Sequence, residues 1–443
     1  MRRLAPAPGA EVTIDFEGKA LPAYEGEPAA CALLAAGESV LSRSIKYHRP
    51  RGPFCMAASC SNCLMRIDGT PNRFACQTPV RAGMRLERQN AFPSARVDVF
   101  GSIDWLFPRG LDHHAMFAGV PVADKVMAAV ARQLAGLGLL PDAPPPARRP
   151  PEQLSTDVAI VGAGTAGLSA AEVLAGRGLG ILLLEREDAV GGRWILDAPE
   201  PDAGAMPELP QSAEVRLGTT VLGLYDDELG RMLVAVQQGP EGPRLLFIKA
   251  RSMLFTLGGY ASVLPFENNE IPGVFSGRAA SDLLRRRELL VGEAPAIVGH
   301  GAQLLPLEQL FRAKGAQVAA VVDTSGKAAA APSVIAGVPT RARGRTWVHG
   351  LSIRGVEGKE RRVACDAIVV SQPPSPAFEL LRQAGVKVDF RPELRSFAPV
   401  TSAEGGTAVR GVWAAGDVIA PGTLLEAAES GRRAAEAMLG EIR

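Results

Sequence analysis

Alternating apolar and polar positions open the chain. In Glu11-Val-Thr-Ile-Asp-Phe-Glu-Gly-Lys-Ala-Leu-Pro they flank a Glu-Gly turn, which predicts a β-hairpin. An alanine-rich stretch at about 27–36 predicts a helix, and Met127-Ala-Ala-Val-Ala-Arg-Gln-Leu-Ala has the spacing of another. The pattern then breaks. Pro141, Pro144, Pro145, Pro146, Pro150 and Pro151 exclude both helix and central strand, so 141–151 reads as an extended spacer. Beyond it, an apolar run ends twice in a glycine loop, at Asp157-Val-Ala-Ile-Val-Gly and at Ala294-Pro-Ala-Ile-Val-Gly. Each loop is followed by a helical segment and a second apolar run, the signature of a βαβ unit. Between the two units, Leu245-Leu-Phe-Ile-Lys and Ser252-Met-Leu-Phe-Thr read as strands.

Composition narrows the class. Of 443 residues, 47% are hydrophobic and 21% charged, which excludes a disordered or fibrous chain. Basic and acidic residues nearly cancel, 48 against 47, so no nucleic-acid partner is expected. No run of uncharged apolar residues is long enough for a membrane span. The basic start Met-Arg-Arg-Leu-Ala-Pro lacks the apolar stretch of a secretory signal, and a cytoplasmic setting is expected.

Four of the six cysteines crowd together. Cys55, Cys60, Cys63 and Cys76 give the spacing C-x4-C-x2-C-x12-C, whose first two intervals match the plant-type [2Fe–2S] loop. Such a loop needs short side chains, so that backbone N–H groups can approach the sulfur atoms; Ala57, Ala58, Ser59 and Ser61 supply them. Leu64-Met-Arg-Ile-Asp-Gly reads as a strand and turn leading back toward Cys76. A structural zinc site would ordinarily use two C-x2-C halves, and only one is present. Cys31 and Cys365 stand apart and read as ordinary buried thiols.

The first glycine loop, Gly162-Ala-Gly164-Thr165-Ala166-Gly167, is a complete G-x-G-x-x-G between strand and helix. Its glycines suit a tight turn, a close pyrophosphate and a helix packed near its strand. Glu185 ends the next strand, Ile181-Leu-Leu-Leu-Glu, where it can accept ribose hydroxyls; Arg186 follows it. FAD and NAD share this fingerprint. Gly191-Gly192-Arg193-Trp extends the loop, and Gly411-Val-Trp-Ala-Ala-Gly416-Asp417 ends a late strand in a carboxylate suited to a ribityl hydroxyl, which favours FAD. The second loop, Gly299-His-Gly-Ala-Gln-Leu304, lacks the third glycine, although Asp323 ends its next strand. NAD(P), an adenine nucleotide and an empty structural relic all remain open there. His300 reads as a loop residue, and no C-x-x-C follows to make a dithiol site. Arg43, Lys46, His48, Arg49 and Arg51 form a basic stretch before the cysteines, either solvated or in contact with a phosphate or a subunit. His113 and His114 read as surface residues.

Several multi-residue stretches resemble a known family. Lys46-Tyr-His-Arg-Pro-Arg-Gly, Gln89-Asn-Ala-Phe-Pro-Ser, Asp104-Trp-Leu-Phe-Pro, Thr256-Leu-Gly-Gly-Tyr and Leu264-Pro-Phe-Glu-Asn-Asn-Glu-Ile-Pro-Gly-Val are similar to the α subunit of heterotetrameric sarcosine oxidase. The sequence is also similar to related subunits of hydrogen cyanide synthase, opine oxidases and proline or hydroxyproline dehydrogenases. The resemblance implies a complex in which a separate flavin-containing amine or amino-acid oxidase-like subunit attacks the substrate, with FMN at a subunit interface and further small subunits in some members. Two departures stand out. That α subunit lacks the cluster cysteines, and this chain ends at Arg443 without its large C-terminal extension. A dehydrogenase subunit passing electrons from flavin to a [2Fe–2S] cluster is therefore expected. The alternative is a stand-alone NAD(P)H-dependent FAD/[2Fe–2S] reductase. No substrate acid or base can be assigned.

The expected architecture is a ferredoxin-like [2Fe–2S] α+β domain (1–108), a helix and proline-rich linker (109–155), and a Rossmann-like two-dinucleotide-domain α/β fold. Within that fold, 156–285 and 393–443 form the FAD part and 286–392 the second nucleotide part.

Overall fold

The structure is a computed structural model. It describes every residue except 46, 92–97, 99–140, 142–148, 198, 200–203, 228–229, 240–241, 328–332 and 443. The expected helix at Met127, most of the proline spacer, His113, His114, Lys46 and the Asp104 motif lie outside the described residues.

An N-terminal sheet comes first. Strands β1 (Glu11–Phe16) and β2 (Lys19–Tyr24) form the hairpin around Glu17-Gly18, with Phe16 opposite Lys19. Helix α1 (Ala29–Ala35) follows, with Ala29, Ala30, Cys31, Ala32, Leu33 and Leu34 buried. A short ribbon of β3 (Ser42–Arg43) and β4 (Pro50–Arg51) precedes the cysteine loop. Strands β5 (Leu64–Ile67), β6 (Thr70–Phe74) and β7 (Arg85–Glu87) complete a five-stranded sheet of order β2-β1-β7-β5-β6. Ile14, Met65 and Leu86 fill its core.

The first βαβ unit is β8 (Glu152–Val161), α2 (Thr165–Leu174) and β9 (Ile181–Leu184). Their apolar runs are almost wholly buried because helices and strands cover both faces of a parallel sheet. A single turn, α3 (Arg193–Leu196), carries Arg193. Next come β10 (Ala213–Arg216), β11 (Thr219–Asp227), β12 (Gly230–Gln237) and β13 (Arg244–Phe255). Strand β13 takes in both expected segments, 245–249 and 252–256 except Thr256, as one strand, pairing with β8 along nine residues.

The second βαβ unit belongs to another sheet. Strand β14 (Val274–Ser276) leads into α4 (Gly277–Arg285), then β15 (Pro295–Gly299), α5 (Leu304–Ala313) and β16 (Ala320–Asp323). Three antiparallel strands follow, β17 (Val334–Gly344), β18 (Val348–Gly355) and β19 (Glu360–Val363), and then β20 (Ala367–Ser371). The order is β14-β20-β15-β16-β17-β18-β19. The chain finally returns to the first sheet, where β21 (Val412–Ala414) pairs with β13, and α6 (Leu424–Ile442) packs on α2.

Two compact units result. One joins Met1–Pro145 to Val263–Gln372, and the other joins Pro146–Ser262 to Pro373–Arg443. Strand β14 pairs with β20, which carries α4 into the second sheet. Architecturally the chain is a ferredoxin-like β+α domain followed by a mixed α/β, Rossmann-like flavoprotein fold. Among the described residues, no helix is long and apolar enough to cross a membrane.

Candidate functional site

Two sites can be built, one in each unit. The first is the cysteine loop between β4 and β5. Cys55, Cys63 and Cys76 are buried, and Cys60 is partly open. Met56 and Ala58 hold left-handed φ angles of 52° and 50°. Such angles cost a side-chain-bearing residue about 1 kcal/mol each, and here they turn the peptide planes inward. The Ala57 N–H lies 3.4 Å from Cys55 Sγ, and Ser59 also donates to that sulfur. Asn62 donates to Cys60, Ala75 and Cys76 to Cys63, and Ala58 to Cys76. The Gln77 amide clamps the loop through Met56 O at 3.0 Å.

The sulfurs are gathered two by two. Cys60 donates to Cys55 and Cys76 to Cys63, so within each pair one thiol is pushed down, Cys55 to about 5, and its neighbour up. Two thiolates per iron is the donor set of a two-iron cluster, and inward N–H groups suit its negative charge. The four residues therefore fit the [2Fe–2S] group better than a single tetrahedral zinc. Cys31 and Cys365 are buried elsewhere. Burial pushes both thiols up, Cys365 to about 12.

The second site is the first glycine loop. Gly162 has φ 105°, and a Cβ there would collide with the Thr256 carbonyl on β13. A Cβ on Gly167 would strike the Gly162 carbonyl, so these two glycines seat the helix against its strand. Gly164 differs. Its absent Cβ would meet only Gly192 Cα, at 3.8 Å, leaving room beside the N-terminus of α2. Thr165 Oγ is buried at that N-terminus with no hydrogen-bond partner among the described residues. An orphaned hydroxyl beside free helical N–H groups fits a phosphate.

Glu185 sits at the rim of this cradle. Its Oε2 accepts from Ala163 N at 2.7 Å and its Oε1 from Glu187 N at 2.9 Å. Burial pushes its carboxyl up, with those two N–H bonds opposing. Each oxygen keeps a lone pair for a hydroxyl donor. Arg186 lies outside, half exposed and paired with Glu187 at 3.2 Å. Gly191 N donates to Ala163 O at 2.8 Å, which draws the Gly191-Gly192 turn against the loop. Gly416 packs on Ala166, and Gly431 of α6 approaches the Ala166 backbone.

Asp417 was expected to face a ribityl hydroxyl. Its oxygens receive Arg193 Nη1 at 3.0 and 3.1 Å, and the same nitrogen donates to Gly422 O at 2.7 Å. Arg193 Nε also reaches Asp197 Oδ2 at 2.7 Å. One buried guanidinium thus ties the 191–197 turn to the 416–422 turn.

Sequence reasoning missed two residues. Thr256 Oγ donates to Gly162 O at 2.6 Å and to Val161 O at 3.1 Å, holding the first glycine in place. Asp197 shares Arg193. A hydroxyl placed directly after the apolar end of β13 was the available signal for Thr256; nothing local marks Asp197.

At the second loop, Gly299 has φ 146°, and the Ser371 carbonyl occupies its Cβ position. Helix α5 begins only at Leu304, whose side chain is buried where the third glycine was missed. His300 Nδ1 lies 3.3 Å from Thr324 Oγ, and Asp323 accepts from Ser325 N at 2.8 Å.

Two family models match the chain, one over each region. Residues 9–91 match the 2Fe-2S iron-sulfur cluster binding domain, and residues 156–437 match pyridine nucleotide-disulphide oxidoreductase. The chain is 26% identical over 467 aligned positions to the sarcosine oxidase subunit alpha of Rhizobium meliloti, covering 97% of this chain and 46% of that subunit. It therefore spans under half the length of that relative. Hydrogen cyanide synthase subunit HcnA of Pseudomonas aeruginosa is 39% identical over 87 residues, 20% of this chain and 83% of that subunit. The crystal structure of L-proline dehydrogenase from P. horikoshii superposes with a TM-score of 0.72 at 23% identity, over 100% of this chain and 76% of that one, which shows a shared fold. With an iron–sulfur domain ahead of its dinucleotide-binding fold, the chain belongs to the pyridine nucleotide-disulphide oxidoreductase family.

Proposed function

We propose that this chain is the electron-transfer and cofactor-binding subunit of a multi-subunit, flavin-dependent amino-acid or secondary-amine dehydrogenase of the opine, proline or hydroxyproline type. One observation carries the reading: a four-thiol loop with inward N–H groups and a complete dinucleotide cradle occur in one chain. Cys55 and Cys60 would hold one iron of a [2Fe–2S] cluster, and Cys63 and Cys76 the other. FAD would lie on Gly162, Gly164, Thr165, Ala166 and Gly167. Glu185 and Arg186 would stand at its adenosine end, and Gly192, Arg193, Gly416 and Asp417 at its flavin end. When bound, flavin accepts an electron pair and the cluster single electrons, which suits a relay. The chain's own residues bind, shield and bias these groups: N–H donors favour negative charge at the sulfurs, and Glu185 selects ribose hydroxyls.

Substrate oxidation would fall to a flavin-containing oxidase-like partner, with FMN at the interface and further small subunits as additional members. The sarcosine oxidase and hydrogen cyanide synthase relatives, named as subunits, support that arrangement. A reducing cytoplasm, where thiols stay available to iron, is the setting that fits.

The test is reconstitution. Purified alone, the chain should be coloured and redox-active yet unable to oxidise any amino acid. Co-expressed with a flavin oxidase subunit, it should form a stable complex that reduces an artificial acceptor when given an amino acid or secondary amine. Turnover by the single chain at the rate of the complex would favour a self-contained enzyme.

A further inference from the structure

The strands β17, β18 and β19 carry a feature that neither cofactor uses. Residues directly opposite each other in antiparallel strands share a face. Arg341 therefore lies on one face with Ser352 and Arg362, Arg343 with Gly350, and Val338 with Arg354 and Glu360. The other face places Ala342, Leu351 and Ile353 fully inside the core. Four arginines thus stand on one outward face, at the ~4.8 Å strand spacing and ~7 Å residue spacing of a sheet.

Their charges are mostly unanswered. Arg343, Arg354 and Arg362 make no ion pair among the described residues, in a chain where most described arginines have one. Arg341 reaches Glu267 at 3.5 Å, both partners more than half exposed. Glu360 is opposite Arg354, but its carboxylate accepts from Thr340 Oγ at 3.4 Å.

Two ordinary explanations fall short. Charged side chains often protect a sheet edge from pairing, and β19 is the edge. That accounts for Arg362, but Arg354 stands on β18, which is paired on both sides at that residue. Simple solvation would not need small residues between the charges. Here Ser352 is only 1% exposed, and the Arg343 stem packs against Gly350. A long arginine stem can cover such small residues while its charged head stays in water, as the Arg343 stem does beside Gly350.

We propose that this arginine face docks an acidic protein surface. Arginine forks match carboxylates, and four of them on one face give a charge complementary to such a surface. Val338, 46% exposed on the same face, adds an apolar contact. No aromatic ring stands among these face residues to stack a base, which disfavours single-stranded nucleic acid.

The experiment measures binding of short poly-L-glutamate to the full chain with its cofactors, at several salt concentrations. The wild type should bind at low salt and weaken as salt rises. The triple variant R343Q/R354Q/R362Q should lose about tenfold or more in affinity. R343K/R354K/R362K should fall between the wild type and the glutamine triple, because charge is kept and the fork is lost, which separates lost charge from lost folding. R81Q/R85Q/R391Q, with an equal charge change elsewhere, should bind as the wild type does. Equal affinity of the wild type and the glutamine triple would overturn the proposal. Tighter binding of an oligonucleotide of matching charge would overturn it too.

Discussion

The two glycine loops begin alike and finish differently. Gly162 and Gly299 both end a buried strand with positive φ, and in both a neighbouring strand's carbonyl fills the space a Cβ would need. That shared half is a requirement of strand packing and says nothing of a ligand. The difference comes next. In the first loop, α2 starts at Thr165, immediately after Gly164, and Gly167 lets it press against the Gly162 carbonyl. In the second, α5 starts at Leu304, three residues beyond Gly301, and Leu304 is tucked into the core. The N–H groups that would meet a phosphate are presented in one loop and set back in the other. The helix start, rather than the first glycine, is what separates the two.

Four substitutions sharpen this comparison. Gly167→Ala should have the largest effect, because its methyl meets the Gly162 carbonyl and lies 2.9 Å from Thr256 Oγ. Overpacking of this kind costs about 3 kcal/mol or more, visible as a lower denaturation midpoint together with lost flavin. Leu304→Ala should cost about 2–3 kcal/mol as a core truncation, without any gain in nicotinamide nucleotide affinity by calorimetry. A gain would restore the second loop as a nucleotide site and revive the stand-alone reductase reading. Gly164→Val should leave the melting temperature of the flavin-free chain nearly unchanged, since only Gly192 Cα is near the added Cβ. Its flavin content should nevertheless fall about tenfold or more, because the side chain fills the phosphate space. Full occupancy in that variant would mean the cofactor is misplaced. Thr256→Val is the mildest, removing one hydroxyl from Gly162 O and Val161 O. About 1 kcal/mol of stability and a several-fold loss of flavin affinity are expected.

Much of this was legible because it is local. The hairpin at 11–24, the strand–glycine loop–helix runs and the four-cysteine spacing each depend on neighbours in sequence, and periodicity reports neighbours. The joints between units were harder. Val274-Phe275-Ser276 is too short to declare its sheet, and its place follows from pairing with β20, far along the chain. Arg193 and Asp417 were both singled out, but their mutual contact spans 224 positions and could not be read. The same holds for Thr256 against Gly162, and for Gly431 against Ala166. The arginine face escaped notice because strand register, rather than composition, gathers it.

Electron paramagnetic resonance of the reduced chain, purified without oxygen and paired with metal analysis, tests the central claim most directly. About two irons per chain are expected, with a reduced-state signal from a [2Fe–2S] cluster that Cys60→Ser abolishes or strongly shifts. Zinc without iron in the native protein, or an unchanged signal in Cys60→Ser, would contradict the account.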